Sequence, residues 1–478
     1  MAAGDTGRHH AFLNTSALNT KKIITRFTFA LAAAISVYAC VEPEAGPASD
    51  VNEWYAGGSQ TVFTRGTGAF ESAFPHLSAA LEEVHTIGDA AFNATFVTAP
   101  AIIRPGLGPV FNNVSCGACH VSDGRGKPPT SNEQLMSLLV RLSIPGTDVH
   151  GGPKPVPGFG LQLQPRANQG VSPEALVYIQ YTEKEYQFAD GSKYSLRAPA
   201  YTMQSSYEGL PSDILYSPRI APPVFGLGLL EAIAEADIVA QADENDRNGD
   251  GISGKPNYVW NVLEGKKTLG RFGWKANNPT ILQQSAGAYS EDMGITNFVF
   301  PNESSYDQLQ YDNLQDEYEV SDSLVQAVTF YIRSLAVPAR RDADKTNILA
   351  GKKIFTEAQC AACHKPMQRT VTNVAFPELS NQVIFPYTDL LLHDMGPDLA
   401  DYRPDFEATG LEWRTSPLWG IGLTQVVNGH TNFLHDGRAR TLMEAIMWHG
   451  GEAQFSRDYV TRLSQSDRDL LIKFLESL

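Results

Sequence analysis

The residues best suited to chemistry are cysteine and histidine, and they cluster twice. Residues 116–120 read CGACH and residues 360–364 read CAACH. In each, two thiols three positions apart lead directly into a histidine. That spacing lets Cys116 and Cys119, or Cys360 and Cys363, add across the two vinyl groups of one haem. His120 or His364 then sits beneath the iron as proximal ligand. A C-x-x-C pair by itself also serves as a redox dithiol or as half a zinc site. The adjoining histidine, the recurrence and the N-terminus described next favour two covalent haems c as cofactors. Only Cys40 is left over, so the five cysteines do not form a disulfide scaffold.

Residues 21–26, KKIITR, are followed by thirteen uncharged, mostly apolar residues, FTFALAAAISVYA, and then Cys40. A charged start, a short apolar run and a small residue before the cut read as a secretory signal over 1–39. Thirteen residues are too few to span a bilayer, which takes about 20. VYAC resembles a bacterial lipobox, with Tyr38 an imperfect fit, so Cys40 is expected to be lipidated. Residues 40–60 are small, polar and broken by Pro and Gly, a tether. The expected location is the bacterial cell envelope, facing the periplasm, with membrane contact through the lipid anchor only. The 478 residues carry 37 Lys and Arg against 53 Asp and Glu, a net charge of −16. That balance offers phosphates no basic surplus and argues against a nucleic-acid partner.

The elements that must position the motifs recur as well. Residues 346–358 read as an amphipathic helix running into CAACH. Residues 464–478 read as a closing helix with Ser464 as N-cap and a stripe of Leu471, Phe474, Leu475 and Leu478. Residues 321–341 look like the closing helix of an earlier domain, stopped at Pro338. PVFGLGL (223–229) matches PLWGIGL (417–423), and the segment 269–287 loosely echoes 431–451, placing Trp274 opposite His435. Duplication predicts a mainly α, loop-rich fold of two cytochrome c-like haem domains, 61–340 and 346–478. The first copy is enlarged by insertions around 121–215 and 232–268.

FNNVSCGACHVSDGRG, SPRIAPPVFGLGLLEAI, DGDGISGKPN, FGWKA, EDMGITN and LHDGRARTLMEAIMWHGGEA together resemble the dihaem, or thiol-oxidoreductase-like, family over residues 60–478. That family lies in the bacterial dihaem cytochrome c peroxidase superfamily, with the dihaem enzyme that matures methylamine dehydrogenase. The resemblance implies further roles. Fourteen residues after His435, where relatives place the sixth ligand of the C-terminal haem, stands His449, with Met395 as the alternative. The sixth position of the N-terminal haem is left to His150, to an open or water-bound site, or to Met. Where the peroxidases carry an acid before Met-Gly, this chain has Glu291 and Asp292, so one of them is expected as acid/base. Trp274 falls where those enzymes set a Trp between the haems.

DRNGDG (246–251) is the first half of an EF-hand-type loop, offering Asp246, Asn248 and Asp250 to Ca2+. Position 12 is Asn257 rather than Glu, so a complete EF-hand is not expected. The expected function is an oxidoreductase whose C-terminal haem relays electrons to a peroxidase-like N-terminal haem. Its partners would be a redox protein or a small oxidant such as peroxide. The competing functions are a non-catalytic electron carrier and a haem-dependent oxygenase acting on an organic substrate.

Overall fold

A computed structural model describes residues 53–130, 135–207, 209–311 and 317–478. The expected signal, Cys40 and most of the tether lie outside them. Residues from Val51 to Leu478 form one compact unit.

Two helix pairs give the unit its frame. Ala79–Phe92 precedes the first C-x-x-C-H and packs against Asp322–Arg333. Thr346–Glu357 precedes the second and packs against Gln465–Ser477. Three of the four start on a serine whose hydroxyl accepts a backbone N–H: Ser78, Ser321 and Ser464. Each pair crosses at a glycine. A Cβ on Gly88 would lie 2.2 Å from the Ala327 carbonyl oxygen, and one on Gly351 would lie 2.1 Å from that of Leu470. The second glycine of each P-x-x-G-x-G-L segment does the same job. Gly228 meets the Arg333 carbonyl and Gly422 the Glu476 carbonyl, at the ends of the two closing helices. The repeat legible in the sequence therefore marks backbone-to-backbone contacts that no side chain can enter. The helix expected over 321–341 ends sooner than Pro338. Ser334 caps it, and Val337–Pro338 form a short strand paired in parallel with Thr61–Val62.

The expectation of a mainly α, cytochrome c-like fold is overturned. Helix takes 28% of the structure and strand 20%, spread over many small sheets. The insertion after His120 is the reason. Leu138–Thr147 is flanked by Gln162–Leu163 and Leu215–Ile220 in an antiparallel sheet. Ala175–Gln187 and Lys193–Ser205 form a long hairpin in register from Ala175↔Ser205 to Gln187↔Lys193. Its tip buries Phe188 and Leu196 in the core of the C-terminal region, among Phe355, Phe474 and Trp448. Arg468 fixes that tip through Asp190 at 2.8 Å. Among the described residues no helix is long and apolar enough to cross a membrane.

Candidate functional site

Two cavities open beside the two cysteine motifs. The first, of about 210 Å³, is walled by Cys116, Cys119, His120 and Phe92, by Trp274, and by one face of the helix Ile281–Met293. That face presents Ile281, Gln284, Ser285, Ala288 and Asp292, which recur at helical spacing. Ser115 caps the turn that carries the cysteines, its hydroxyl accepting the Ala118 N–H. His120 donates from Nδ1 to the Pro222 carbonyl at 2.7 Å. A carbonyl only accepts, so Nε2 is left without a proton and, among the described residues, without a hydrogen-bond partner. Burial holds His120 down at about 4 and therefore neutral. Burial also pushes the Cys116 and Cys119 thiols up to about 12, the reverse of what a redox dithiol needs.

The second cavity, of about 190 Å³, repeats the design. Cys360, Cys363 and His364 line it, with Phe355, Met395, Trp413, His435 and His449. His364 donates from Nδ1 to the Tyr387 carbonyl at 3.0 Å, and burial again holds it near 4. The helix Leu442–Trp448 starts on Thr441, whose hydroxyl accepts the Glu444 N–H. Glu444 does not return to Thr441. Its carboxylate takes the Arg440 N–H instead, at 2.9 Å. His449 caps the helix C-terminus and donates from Nδ1 to the Ala445 carbonyl at 2.7 Å. Burial lowers its pKa, so it too offers a neutral Nε2 to the cavity it shares with His364. Such Nδ1–H···O=C tethers fix the tautomer and ring orientation of a metal-ligating imidazole. Each cavity thus has a side-chain set that fits a haem: two free thiols and a tethered neutral imidazole in an apolar wall.

The cavities are built from one repeated segment, each residue of the first copy standing 161 positions before its counterpart. Phe272 bridges Asn278 as Phe433 bridges Ala439. Thr280 caps the first helix as Thr441 caps the second. Four successive wall positions then correspond: Ile281 with Leu442, Gln284 with Ala445, Ser285 with Ile446, and Ala288 with His449. One turn on, Asp292 corresponds to Ala453, and both line their cavities. The position that gives the second cavity His449 gives the first only a methyl group. The position that gives the first cavity a carboxylate gives the second a methyl group in turn. Sequence reasoning missed Ala288, because alanine carries no chemical signal. Counting back from His449 through the repeat would have found it.

Asp292 is half-buried and lines the cavity. Desolvation pushes its carboxyl up to about 6, against the lowering effects of Arg141 and of a 2.6 Å hydrogen bond from Gln162. Glu291 is paired with Arg141, a third exposed, and does not line the cavity. Trp274 lies on the wall common to both cavities, 7% exposed, its Nε1 donating to the Ile220 carbonyl at 2.8 Å. Its counterpart His435 stacks on Trp413 at 3.8 Å within the second cavity. His150 is not brought to either cavity. It stacks on Trp260 at 3.8 Å, and its loop is tied to Asp148.

The DRNGDG loop is held by its own hydrogen bonds. Asp246 and Asp250 accept the backbone N–H groups of Gly251 and Ile252, and Asn248 donates to Asp250. Asn257 is buried elsewhere, bonded to Lys275 and Asp405 carbonyls. No group of three or more His, Cys, Asp or Glu that could hold a metal ion occurs among the described residues.

A single unit with two cavities, each furnished with a C-x-x-C-H motif, defines a protein that houses two haems. The family model described as "Di-haem oxidoreductase, putative peroxidase" matches residues 50–478, and the chain belongs to that family. Among curated proteins, none matches the chain. Among solved structures, hydrazine synthase of Kuenenia stuttgartiensis is similar at 15% identity, over 86% of this chain and 94% of that one, with a TM-score of 0.32.

Proposed function

We propose that the protein is an exported dihaem c-type cytochrome that reduces peroxide at its N-terminal site with electrons passed on from its C-terminal site. The difference between Ala288 and His449, at one position of a duplicated wall, carries this reading. A haem attached at each cysteine pair would supply one-electron chemistry, and peroxide binding where its sixth position is open. That His364 and His449 both line the second cavity supports ligation by the pair and suits a site that only passes electrons. In the first, the counterpart of His449 is Ala288, which offers no ligand and leaves room for a small molecule. Asp292, with its carboxyl near neutrality, is the group there able to take a proton from one peroxide oxygen and return it to the other. Trp274, on the shared wall, is the natural path between the two sites.

The signal-like run 21–39 and Cys40 in the sequence support a periplasm-facing, lipid-anchored protein, and a redox partner protein would supply its electrons. Turnover with a reduced donor and hydrogen peroxide tests the assignment. Donor oxidation should depend on peroxide and slow when Trp274 is replaced by Phe. Donor oxidation that is the same with and without peroxide would remove the catalytic reading. Oxygen-dependent cleavage of an organic substrate without external reductant would replace it with an oxygenase.

A further inference from the structure

Five arginines line the first cavity of this acidic protein, and two of them, Arg125 and Arg414, also line the second. Three have evident occupations. Arg141 is paired with Glu291, and Arg219 lies 3.1 Å from Asp405. Arg271 faces the first cavity only and donates to the carbonyls of Leu230 and Ile233. Arg125 and Arg414 differ. They are 7% and 9% exposed, and among the described residues neither forms an ion pair. Desolvation lowers both to about 10. The Asp389 carboxylate, whose charge raises the Arg414 pKa, is itself bonded to His393 at 2.9 Å.

Their anchoring is reciprocal. Arg125 comes from the loop after the first C-x-x-C-H and donates from Nη1 to the Leu434 carbonyl at 3.2 Å. Arg414 comes from the C-terminal region and donates from Nε to the Gly273 carbonyl at 2.9 Å. Gly273 and Leu434 are counterparts in the repeat, both with positive φ, +80° and +71°. Each arginine therefore grips the other copy's loop; Arg414 also donates from Nη1 to the Thr415 carbonyl at 3.1 Å, while Arg125 Nε is buried with no partner among the described residues. Trp274 lies between, its ring 5.5 Å from the Arg125 guanidinium carbon. Burying a guanidinium without a counter-ion is costly, so a wall built this way suits an anion. The planar fork matches a carboxylate.

We propose that Arg125 and Arg414 form one carboxylate-binding wall shared by both cavities, taking propionate groups of both haems and so coupling the two cofactors through a common pair of positive charges. The inference rests on the dihaem reading above. The same wall chemistry could also receive a small organic carboxylate from solution, and the test separates the two sources.

Arg125→Gln, Arg414→Gln and the corresponding Lys variants are measured as holoproteins by haem count and by spectroelectrochemical titration. A haem count other than two in the unaltered protein would defeat the dihaem reading, not the wall. With two haems present, each Gln variant should lower the midpoint potentials of both haems, because a lost positive charge disfavours the reduced, less positive iron. The Lys variants keep the charge and should stay closer to the unaltered protein. They also carry the measurement if a Gln variant loses haem. Potentials that do not move, a shift in one haem only for both residues, or Lys variants that fall as far as Gln would overturn the proposal. Acetate is the probe for the other source. A saturable acetate-induced change in the Soret band, lost in the Gln variants, would assign the wall to an exogenous carboxylate instead.

Discussion

Placing a histidine at Ala288 should close the N-terminal site. The repeat sets residue 288 where His449 stands in the second cavity, on a helix capped by Thr280 as the other is capped by Thr441. Both positions line their cavities, so Ala288→His should present an imidazole across from His120. The magnitude follows from occupancy. If the new ligand holds the site closed about 99% of the time, peroxide sees a competent site only about 1% of the time, and its bimolecular rate falls about 100-fold. That corresponds to about 2.8 kcal/mol of added iron–ligand stabilisation, a modest demand on a coordinate bond. EPR at low temperature counts spin states, and stopped-flow mixing with peroxide measures the rate. The high-spin signal should disappear and all iron become low-spin, with haem content unchanged. A variant that keeps both the high-spin signal and the original peroxide rate would refute the correspondence between the two walls.

The reverse change should act on the other cofactor. His449→Ala should convert the C-terminal haem from low-spin to high-spin, spare the N-terminal spectrum and slow electron delivery; an unaltered EPR spectrum would shift the ligand assignment to Met395. Asp292→Asn should leave both spectra intact and slow the peroxide reaction by roughly 10²–10⁴, the usual effect of a lost acid/base. Because the deprotonated carboxylate takes the proton and its pKa is raised to about 6, the unaltered rate should rise with pH through about 6 and level off above. That limb should vanish in Asp292→Asn, and its persistence would clear Asp292 of the role. Glu291→Gln should change the rate far less, since Glu291 faces Arg141 rather than the cavity. Cys40→Ser should move the protein from the membrane fraction to the soluble fraction, and unchanged fractionation would reject lipidation.

The parts of this site that were legible in the sequence are those fixed by strict chemistry or by close packing. C-x-x-C-H can be read because thioether spacing tolerates little variation. P-x-x-G-x-G-L can be read because Gly228 and Gly422 admit no side chain. His449 was reached through a family count and lies in the cavity with His364. The fold class is not legible from the duplication, because the repeat covers the motifs and their helices but not the insertion, which folds as strands. The segment 175–187 in fact alternates buried Ala175, Val177 and Ile179 with exposed neighbours, a period-two strand pattern. His150 is the nearest histidine after the first motif, but nothing in sequence says where its loop turns, and it turns to Trp260. Arg125 and Arg414 were invisible for a different reason. Their lack of a counter-ion among the described residues appears only when both copies of the repeat are folded together.

The central claim is that two haems share one frame but only one has an open face. Quantitative EPR of the resting holoprotein, alongside a pyridine haemochrome count and a peroxide titration, tests it most directly. The account predicts two covalent haems per chain, one low-spin and one high-spin, with peroxide acting first on the high-spin signal. Two low-spin haems in both redox states, with no reaction towards peroxide, would contradict it.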